Sequence, residues 1–340
     1  MVLHTSGTTG SPQRVFRDTT AEQTHYAYSE VRWRNLAGVS LKDRWAMIGG
    51  QLVVPVNRRQ PPFWIFNRPL NQLYLSSYHM MDANGAAYLD ALERFGPVYL
   101  YGYASSLHWL AQQAERLHRR IALKLVLSNA EPLYAHQRAL IQRAFQCDVR
   151  DTYGSAEGVA QGFECVAGRM HVSADYGVLE ILNAAGEPCA PGERGEVVAT
   201  GLTNQAMLLV RYRTGDAAVW AEDQACSCGC TFPVIARIEG RMDDLLQTAD
   251  GRSVGRLDPV FKGDLPIREA QIIQRRDLRI EVLVVPEPTF TSRHETDLIR
   301  ELRARLGEGL PISILRVPAI PRTASGKFQA VLRERDPAEE

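Results

Sequence analysis

Between residues 85 and 153 the chain alternates helical and strand patterns, and this alternation restricts the fold more than any other feature of the sequence. Residues 86–95 carry Leu89, Leu92 and Phe95 on one side of a helix. Ser105 is placed to cap a second helix bearing Leu107, Leu110, Ala114 and Leu117 at helical spacing. Residues 123–127 read as a short apolar strand, 135–145 as a helix and 149–152 as another strand. Such alternation builds a mostly parallel sheet covered by helices, and ligands of such sheets sit beyond the carboxyl ends of the strands. The Tyr153-Gly154 turn lies at one such end.

After about residue 165 the texture changes, and segments such as 177–182 and 195–200 read as β-strands joined by Gly/Pro turns. A domain boundary is expected between residues 242 and 243, inside the stretch 240–244. Beyond it, residues 245–249, the Asp250-Gly251 turn and residues 252–254 form a hairpin pattern, and 279–285 a strand. Residues 296–306 form an amphipathic helix carrying Leu298, Ile299, Leu302 and Leu306, which Gly307 can end. The expected fold class is therefore α/β. A large core over 1–242, combining the helix-covered sheet with a β-rich subdomain, precedes a smaller α+β domain over 243–340.

Composition narrows the function classes. The chain has 340 residues, 45% of them hydrophobic, which is enough for two domains. Lys plus Arg equals Asp plus Glu, 39 each, so nothing in the balance asks for a nucleic acid or an acidic membrane as partner. No run is long and apolar enough to span a bilayer, and the N-terminus lacks the pattern of a secretory signal. Six cysteines do not make a disulfide scaffold of this length, and a cytoplasmic protein is expected.

Five short motifs carry chemistry. Thr5-Ser6-Gly7-Thr8-Thr9-Gly10-Ser11-Pro12 has glycines that let a backbone fold tightly and hydroxyls that add donors, which suits a polyphosphate. It lacks the Gly-Lys-Ser/Thr ending of the familiar nucleotide loop, and read singly it is equally a flexible Ser/Gly terminus. In Asp151-Thr152-Tyr153-Gly154-Ser155-Ala156-Glu157-Gly158 the aromatic can stack on a base and the carboxylate can hold Mg²⁺; alternatively this is a strand-to-helix turn with a capping Glu. In Tyr212-Arg213-Thr214-Gly215-Asp216, an Asp on a tight turn can accept both hydroxyls of a ribose, or the segment is a surface β-turn. Ile238-Glu239-Gly240-Arg241-Met242-Asp243-Asp244-Leu245 is the fourth, and Pro321-Arg322-Thr323-Ala324-Ser325-Gly326-Lys327 the fifth. A Lys on a Gly-Ser loop can be delivered to a negative site, or is simply solvated.

Singly these are modest signals; their order and spacing resemble the acyl-adenylate-forming superfamily of acyl-CoA synthetases, peptide-synthetase adenylation domains and luciferases. The resemblance runs from residue 5 to about 332. Cys226-Ser227-Cys228-Gly229 through Arg241, with the Asp250-Gly251 turn, looks like the phenylacetate–CoA ligase and capsule-biosynthesis branch. The resemblance implies that Thr5 to Gly10 hold the β- and γ-phosphates of ATP. It sets the adenine between Ala130-Glu131-Pro132 and Tyr153, with Gly154 and Ser155 beside it, and makes Glu157 the Mg²⁺ carboxylate. Asp216 matches the ribose ligand, Arg241 an arginine near ribose and phosphate, Asp243 the hinge and Lys327 the catalytic lysine of a C-terminal lid.

The implied reaction is attack of a carboxylate on the α-phosphorus of ATP with loss of pyrophosphate, followed by transfer to coenzyme A, an aromatic acid being favoured. Transfer to an amine, a hydroxyl or a carrier-protein thiol is one alternative, and a non-catalytic nucleotide-binding paralogue another. Three departures bear on the choice. The family carries a substantial segment before the phosphate loop; a fragment, a misplaced start and a reduced form are the alternatives here, with sheet edges either exposed or covered by a protein partner or oligomer. Gln13 stands where Lys is usual, followed by Arg14, and Ala156 where a hydroxyl residue usually precedes the motif Glu.

Cys226, Cys228 and Cys230 alternate in a Gly-containing turn, with Cys165 and His171 upstream. Zinc takes four such ligands in a tetrahedron, and the sharper reading is a structural Zn²⁺ on Cys165, His171, Cys226 and Cys228, with Cys230 as an alternative ligand. The other reading is free cysteines in a β-rich turn. Phe63, Trp64, Phe66, His79, His108 and Trp109 are expected to pack rather than to bind.

Overall fold

The computed structural model describes residues 2–4, 14–51, 53–55, 57–241, 246–249, 253–254, 265–322 and 328–334. The described residues gather into two compact units, the first running to Ile238 and the second taken up at Glu239.

The first unit opens with β1 (Val2–His4) paired antiparallel to β2 (Arg14–Phe16), and α1 (Thr19–Tyr28) follows. Then come β3 (Trp45–Gly49), β4 (Trp64–Asn67), β5 (Gln72–Ser76), α2 (Gly85–Phe95), β6 (Tyr99–Tyr103), α3 (Ala104–Arg116), β7 (Leu125–Asn129), α4 (Ala135–Phe145) and β8 (Asp148–Gly154). Strands β5, β3, β6, β7 and β8 lie side by side in that order, all parallel, with β4 antiparallel on the outer edge. Buried on both faces, these strands need near-continuous apolar runs, and Leu125-Val126-Leu127 is one. Ala46, Ile48, Leu73, Leu75, Leu100 and Val126 pack with Leu89, Leu92, Leu107, Leu110, Ile141 and Phe145 of the helices. Trp45, Tyr99, Leu125 and Leu127 pack instead with Trp33 and Val39. Trp33 sits in a π-helical turn, Ser29–Arg34, that continues α1. From the same turn Arg34 lies over the Trp45 ring, 5.3 Å from its centroid, and donates to the Tyr99 hydroxyl at 2.9 Å.

Two expectations are corrected in this half. Ser105 does not cap α3; Tyr103 occupies the cap position without a side-chain bond, and the Glu131 carboxylate accepts from the Ser105 N–H at 2.8 Å. A distant acid does the work that a local hydroxyl was expected to do. Tyr153-Gly154 is not a turn either. Strand β8 runs parallel to β7 as far as Asp151, opposite Ser128, and from Thr152 onward pairs antiparallel with β9 (Gln161–Glu164). The strand overshoots β7, so its exposed backbone groups find a second partner.

The sheet continues through β10 (Met170–Val172), β11 (Gly177–Leu182), β12 (Arg194–Gly201), β13 (Tyr212–Trp220) and β14 (Val234–Arg241), twelve strands in all among the described residues. The spatial order from β9 is β10, β14, β13, β12, β11. This half supplies the β-rich texture expected after residue 165.

The second unit holds the short pair β15 (Leu246–Gln247) and β16 (Ser253–Val254); the expected Asp250-Gly251 turn between them lies outside the described residues. Strands β17 (Ile267–Gln274), β18 (Ile280–Pro286), β19 (Ile312–Arg316) and β20 (Val331–Arg333) form a sheet of order β19-β18-β17-β20. Helix α5 (Ser292–Leu306) buries Leu298, Leu302 and Leu306 with Ile280, Val282 and Val284 of β18. It starts four residues before the expected 296, because Thr291 and His294 cap one another's backbone N–H groups. The Gly307 N–H closes it onto the Arg303 carbonyl at 2.8 Å.

Gly102 of β6 faces Ile48 of β3, and a Cβ there would come within 2.4 Å of the Ile48 carbonyl oxygen. Gly102→Ala is expected to lower unfolding free energy by about 1–3 kcal/mol, seen as a lower urea midpoint. An unchanged midpoint would contradict the close approach of these strands.

Candidate active site

The site assembles at the carboxyl ends of the parallel strands, all within the first unit. Strand β7 ends at Asn129, and the chain then turns through Ala130 at φ 61°, a left-handed conformation that costs a non-glycine residue roughly 1–2 kcal/mol. Strain of this kind persists only where the surroundings impose it. The Glu131 N–H donates to the Asn129 carbonyl at 2.8 Å, while the Glu131 carboxylate is held by the N-terminus of α3. The Thr152 hydroxyl donates to the Ser128 carbonyl at 2.8 Å, and the Ser128 hydroxyl to Asp151. The backbone of Ala130-Glu131-Pro132 is thereby fixed beside the end of β8.

The second and third motifs interlock. The Tyr153 hydroxyl donates to Asp216 Oδ2 at 2.7 Å, and the Tyr212 hydroxyl to Glu157 Oε1 at 3.1 Å. Burial and the adjacent Asp216 carboxylate push the Tyr153 phenol well above its ordinary range, so it stays protonated and a donor. Asp216 is not on a surface β-turn. It lies inside β13, where the register slips between Glu196 and Val198 of β12 and Gly215 takes φ 77°. Such a bulge re-aims a side chain that would otherwise follow the strand. The Thr214 hydroxyl braces it, donating to the Val197 carbonyl at 2.9 Å and accepting from the Asp216 N–H at 3.1 Å.

Glu157 caps no helix, since β9 follows it; its residue is only 8% exposed. The Ala156 carbonyl accepts from the buried Arg17 guanidinium at 2.7 Å, and Arg17 pairs with Glu22 at 3.1 Å. The neighbouring Ser155 hydroxyl is buried without a hydrogen-bond partner among the described residues, as is Asn129 Oδ1, whose own amide N–H donates to the Tyr101 hydroxyl at 2.8 Å. Trp33 closes this end of the sheet, 6.2 Å from the Tyr101 ring and 3.9 Å from where a Gly154 Cβ would stand. Tyr101, Asn129 and Arg17 escape sequence reasoning; Tyr212 stands in the third motif, but its bond to Glu157 does not show in the sequence.

Residues Thr5, Ser6, Gly7, Thr8, Thr9, Gly10, Gln13, Asp243 and Lys327 lie outside the described residues. Arg241 is the last residue of β14, and its side chain is outside them too. Elsewhere, Cys165, His171, Cys226 and Cys228 bring their ligand atoms within 4.8 Å of one another. Phe63 is fully buried and stacks on His79, Trp109 is buried, and burial lowers His108 to about 3, leaving it neutral. Phe66, by contrast, is half exposed on the edge strand β4. No helix among the described residues is long and apolar enough to cross a membrane.

Solved structures of adenylating ligases carry the same fold. 2-Hydroxyisobutyryl-CoA ligase in a postadenylation state matches 100% of this chain and 74% of its own, with a TM-score of 0.72 at 18% identity. Residues 1–207 match the AMP-binding enzyme family and 246–334 the CapK C-terminal domain. The chain belongs to the AMP-binding enzyme family, in its phenylacetate–CoA ligase and CapK-like branch, and is by class an AMP-forming ligase. Protein CapK of Staphylococcus aureus is 28% identical over 333 residues, covering 96% of this chain and 72% of CapK. Phenylacetate-coenzyme A ligase of Thermus thermophilus is 27% identical over 241 residues, covering 62% of this chain and 54% of that ligase.

Asp151 underlies this site. Burial, with the Glu164 carboxylate nearby, pushes its carboxyl up to about 7 despite the Ser128 hydrogen bond. In the unfolded chain it titrates near about 3.9, so between those values the folded protein holds more protons and its stability falls as pH rises. Asp151→Asn removes that slope. Its urea midpoint is expected to match the natural protein's near pH ~4 and to gain on it progressively toward pH ~7. A constant separation across that range would show that Asp151 titrates normally.

Proposed function

We propose that this chain condenses a carboxylic acid with ATP to give an acyl-adenylate and pyrophosphate, and then passes the acyl group to the thiol of coenzyme A. The observation that carries the reading is the crossed pair Tyr153–Asp216 and Tyr212–Glu157 beside the strained Ala130 turn. In this reading the adenine lies between Ala130-Glu131-Pro132 and Tyr153, Gly154 leaves it room, and Asp216 accepts from the ribose hydroxyls. The Tyr153 phenol holds the Asp216 carboxylate in the orientation that the ribose needs.

The residues present fit a divalent cation and an anionic ligand. Glu157 is a buried carboxylate oriented by Tyr212, and the Ser155 hydroxyl beside it, unpartnered among the described residues, can serve the oxygen that Ala156 cannot. Glu157 would hold Mg²⁺, which when bound supplies positive charge against the phosphates. The reaction brings one anion against another, so its barrier is largely electrostatic, and the nucleophile is already ionised and needs no base. Lys327 and Arg241 would supply the remaining positive charge, and Thr5, Ser6, Gly7, Thr8, Thr9 and Gly10 would hold the β- and γ-phosphates. The domain over 243–340 would act as a lid turning about Asp243, withdrawing Lys327 before the thiol attacks.

An aromatic acid is the favoured substrate. Trp33 and Tyr101 wall the strand ends next to Gly154 with flat apolar faces, and phenylacetate–CoA ligases are among the relatives. Coenzyme A dependence of product formation separates this route from transfer to an amine, a hydroxyl or a carrier thiol.

The test is acid-dependent exchange of labelled pyrophosphate into ATP across aromatic and aliphatic acids. Exchange is expected with one acid class and should fall about 100-fold or more in Lys327→Ala. Asp216→Asn is expected to weaken ATP binding by roughly 10- to 100-fold, as a charged acceptor is lost. A folded protein that exchanges with no acid would overturn the reading in favour of a non-catalytic nucleotide-binding protein.

A further inference from the structure

The cysteine turn lies apart from the crossed tyrosine–carboxylate pairs. Cys165 ends the chain segment leaving β9, His171 is the central residue of β10, and Cys226 and Cys228 sit in the connection between β13 and β14. Two backbone turns fix them. The Cys165 N–H donates to the Arg169 carbonyl at 2.9 Å and closes the β9–β10 hairpin. The Gly229 N–H donates to the Cys226 carbonyl at 3.1 Å, with Gly229 at φ 77°. His171 and Cys165 are buried, and Cys226 and Cys228 half-buried.

All four ligand atoms lie within 4.8 Å of one another, and two of their pairs match tetrahedral spacing. Around a zinc ion with bonds of about 2.3 Å to sulfur and 2.0–2.1 Å to nitrogen, tetrahedral angles set sulfur pairs about 3.8 Å apart and sulfur–nitrogen pairs about 3.6 Å apart. Here Cys165 Sγ and Cys226 Sγ are 3.6 Å apart, and Cys228 Sγ and His171 Nε2 3.4 Å. Those sulfurs are far beyond disulfide distance, about 2.05 Å. His171 Nδ1 lies 3.0 Å from the Phe232 carbonyl, which can only accept, so Nδ1 carries the proton and Nε2 presents its lone pair toward the thiols. This is the tautomer that a metal ligand requires.

We propose that Cys165, His171, Cys226 and Cys228 bind one structural Zn²⁺ that staples the β9–β10 hairpin to the β13–β14 connection. Three thiolates and a neutral imidazole leave one net negative charge on the filled site. Arg150 donates to the Cys165 carbonyl and Arg169 to the carbonyls of Asp223 and Ala225, which sets two guanidinium groups around it. Four protein ligands leave no position for a substrate, so the ion is structural rather than catalytic. Its mechanical consequence follows from the neighbouring residue. Glu164, immediately before Cys165, accepts from the Asp151 N–H at 2.7 Å and pairs with Arg138 at 2.8 Å, so the staple lies one residue from the contact that fixes the middle of β8. Cys230 is not a ligand: it is outside the four-atom group, and its N–H donates to Cys228 Sγ at 3.4 Å, a contact that supports a thiolate.

The test is metal analysis of the full chain, purified without chelators or metal-affinity steps. One zinc per chain is expected, unchanged in Cys230→Ser and lost in Cys226→Ser and in His171→Ala. Where those variants fail to fold, the natural protein still decides. Titrating its thiols with a mercurial should release one zinc per chain, and cobalt exchanged into the site should show the visible bands of a tetrahedral thiolate complex. Substoichiometric zinc with no cobalt spectrum in a folded protein overturns the site. So does zinc retained by a folded Cys226→Ser variant, or a Cys165–Cys226 disulfide found by non-reducing peptide mapping. None of these readings depends on adenylation, so the site and the proposed reaction stand or fall separately.

Discussion

Strand β8 changes partners halfway along its length, and the site follows from that change. Up to Asp151 it belongs to a parallel, doubly covered sheet; from Thr152 it belongs to an antiparallel one. Residues at such a junction have strand geometry but extend past the end of β7, where the next helix has not yet begun. Tyr153 therefore reaches across to Asp216 while Ala130 turns beside it. A parallel sheet alone would offer a crevice at its carboxyl edge. The antiparallel half adds β13 and its bulge, and with them a second carboxylate aimed at the same place.

The local elements were legible in the sequence and their partners were not. The helices α2 and α4 appear within a residue of the boundaries that hydrophobic spacing sets, because their buried faces are long and regular. Apart from the early start of α5, set by the local Thr291–His294 cap, the errors concern long-range choices. Nothing in the sequence near Ser105 announces that Glu131, in a different loop, will hold its N–H. Nothing in Tyr212-Arg213-Thr214-Gly215-Asp216 separates a turn from a bulge, since glycine serves both. The tie between Tyr212 and Glu157 joins residues far apart in the chain, so spacing carries no trace of it. The cysteines depart from this division. Their alternation suggests a metal-binding turn with Cys228 ahead of Cys230 as a ligand, and the fold gathers the atoms of that set, Cys165, His171, Cys226 and Cys228, within 4.8 Å.

Electrostatics accounts for the residue types at the site. The described part is rich in acids: Glu157 and Asp216 face the strand ends, with Asp151 and Glu164 just behind them. ATP and a carboxylate would add further negative charge to a region whose described cations, Arg17 and Arg138, already pair with Glu22 and Glu164. Burial raises the Asp151 carboxyl to about 7, which reduces its share of that charge near neutral pH. In the proposed reaction the rest of the imbalance is met by Mg²⁺, Arg241 and Lys327. A lysine delivered on a mobile domain offsets charge during adenylation and removes it before a thiol has to approach.

The most direct test of the central claim follows the oxygen atoms. An acid labelled with heavy oxygen in its carboxyl group, chosen by pyrophosphate exchange, is turned over with ATP and coenzyme A, and the nucleotide product is examined by mass spectrometry. If the carboxylate attacks the α-phosphorus, one labelled oxygen leaves in AMP. Label in inorganic phosphate with ADP as product, or unlabelled AMP, would contradict an acyl-adenylate.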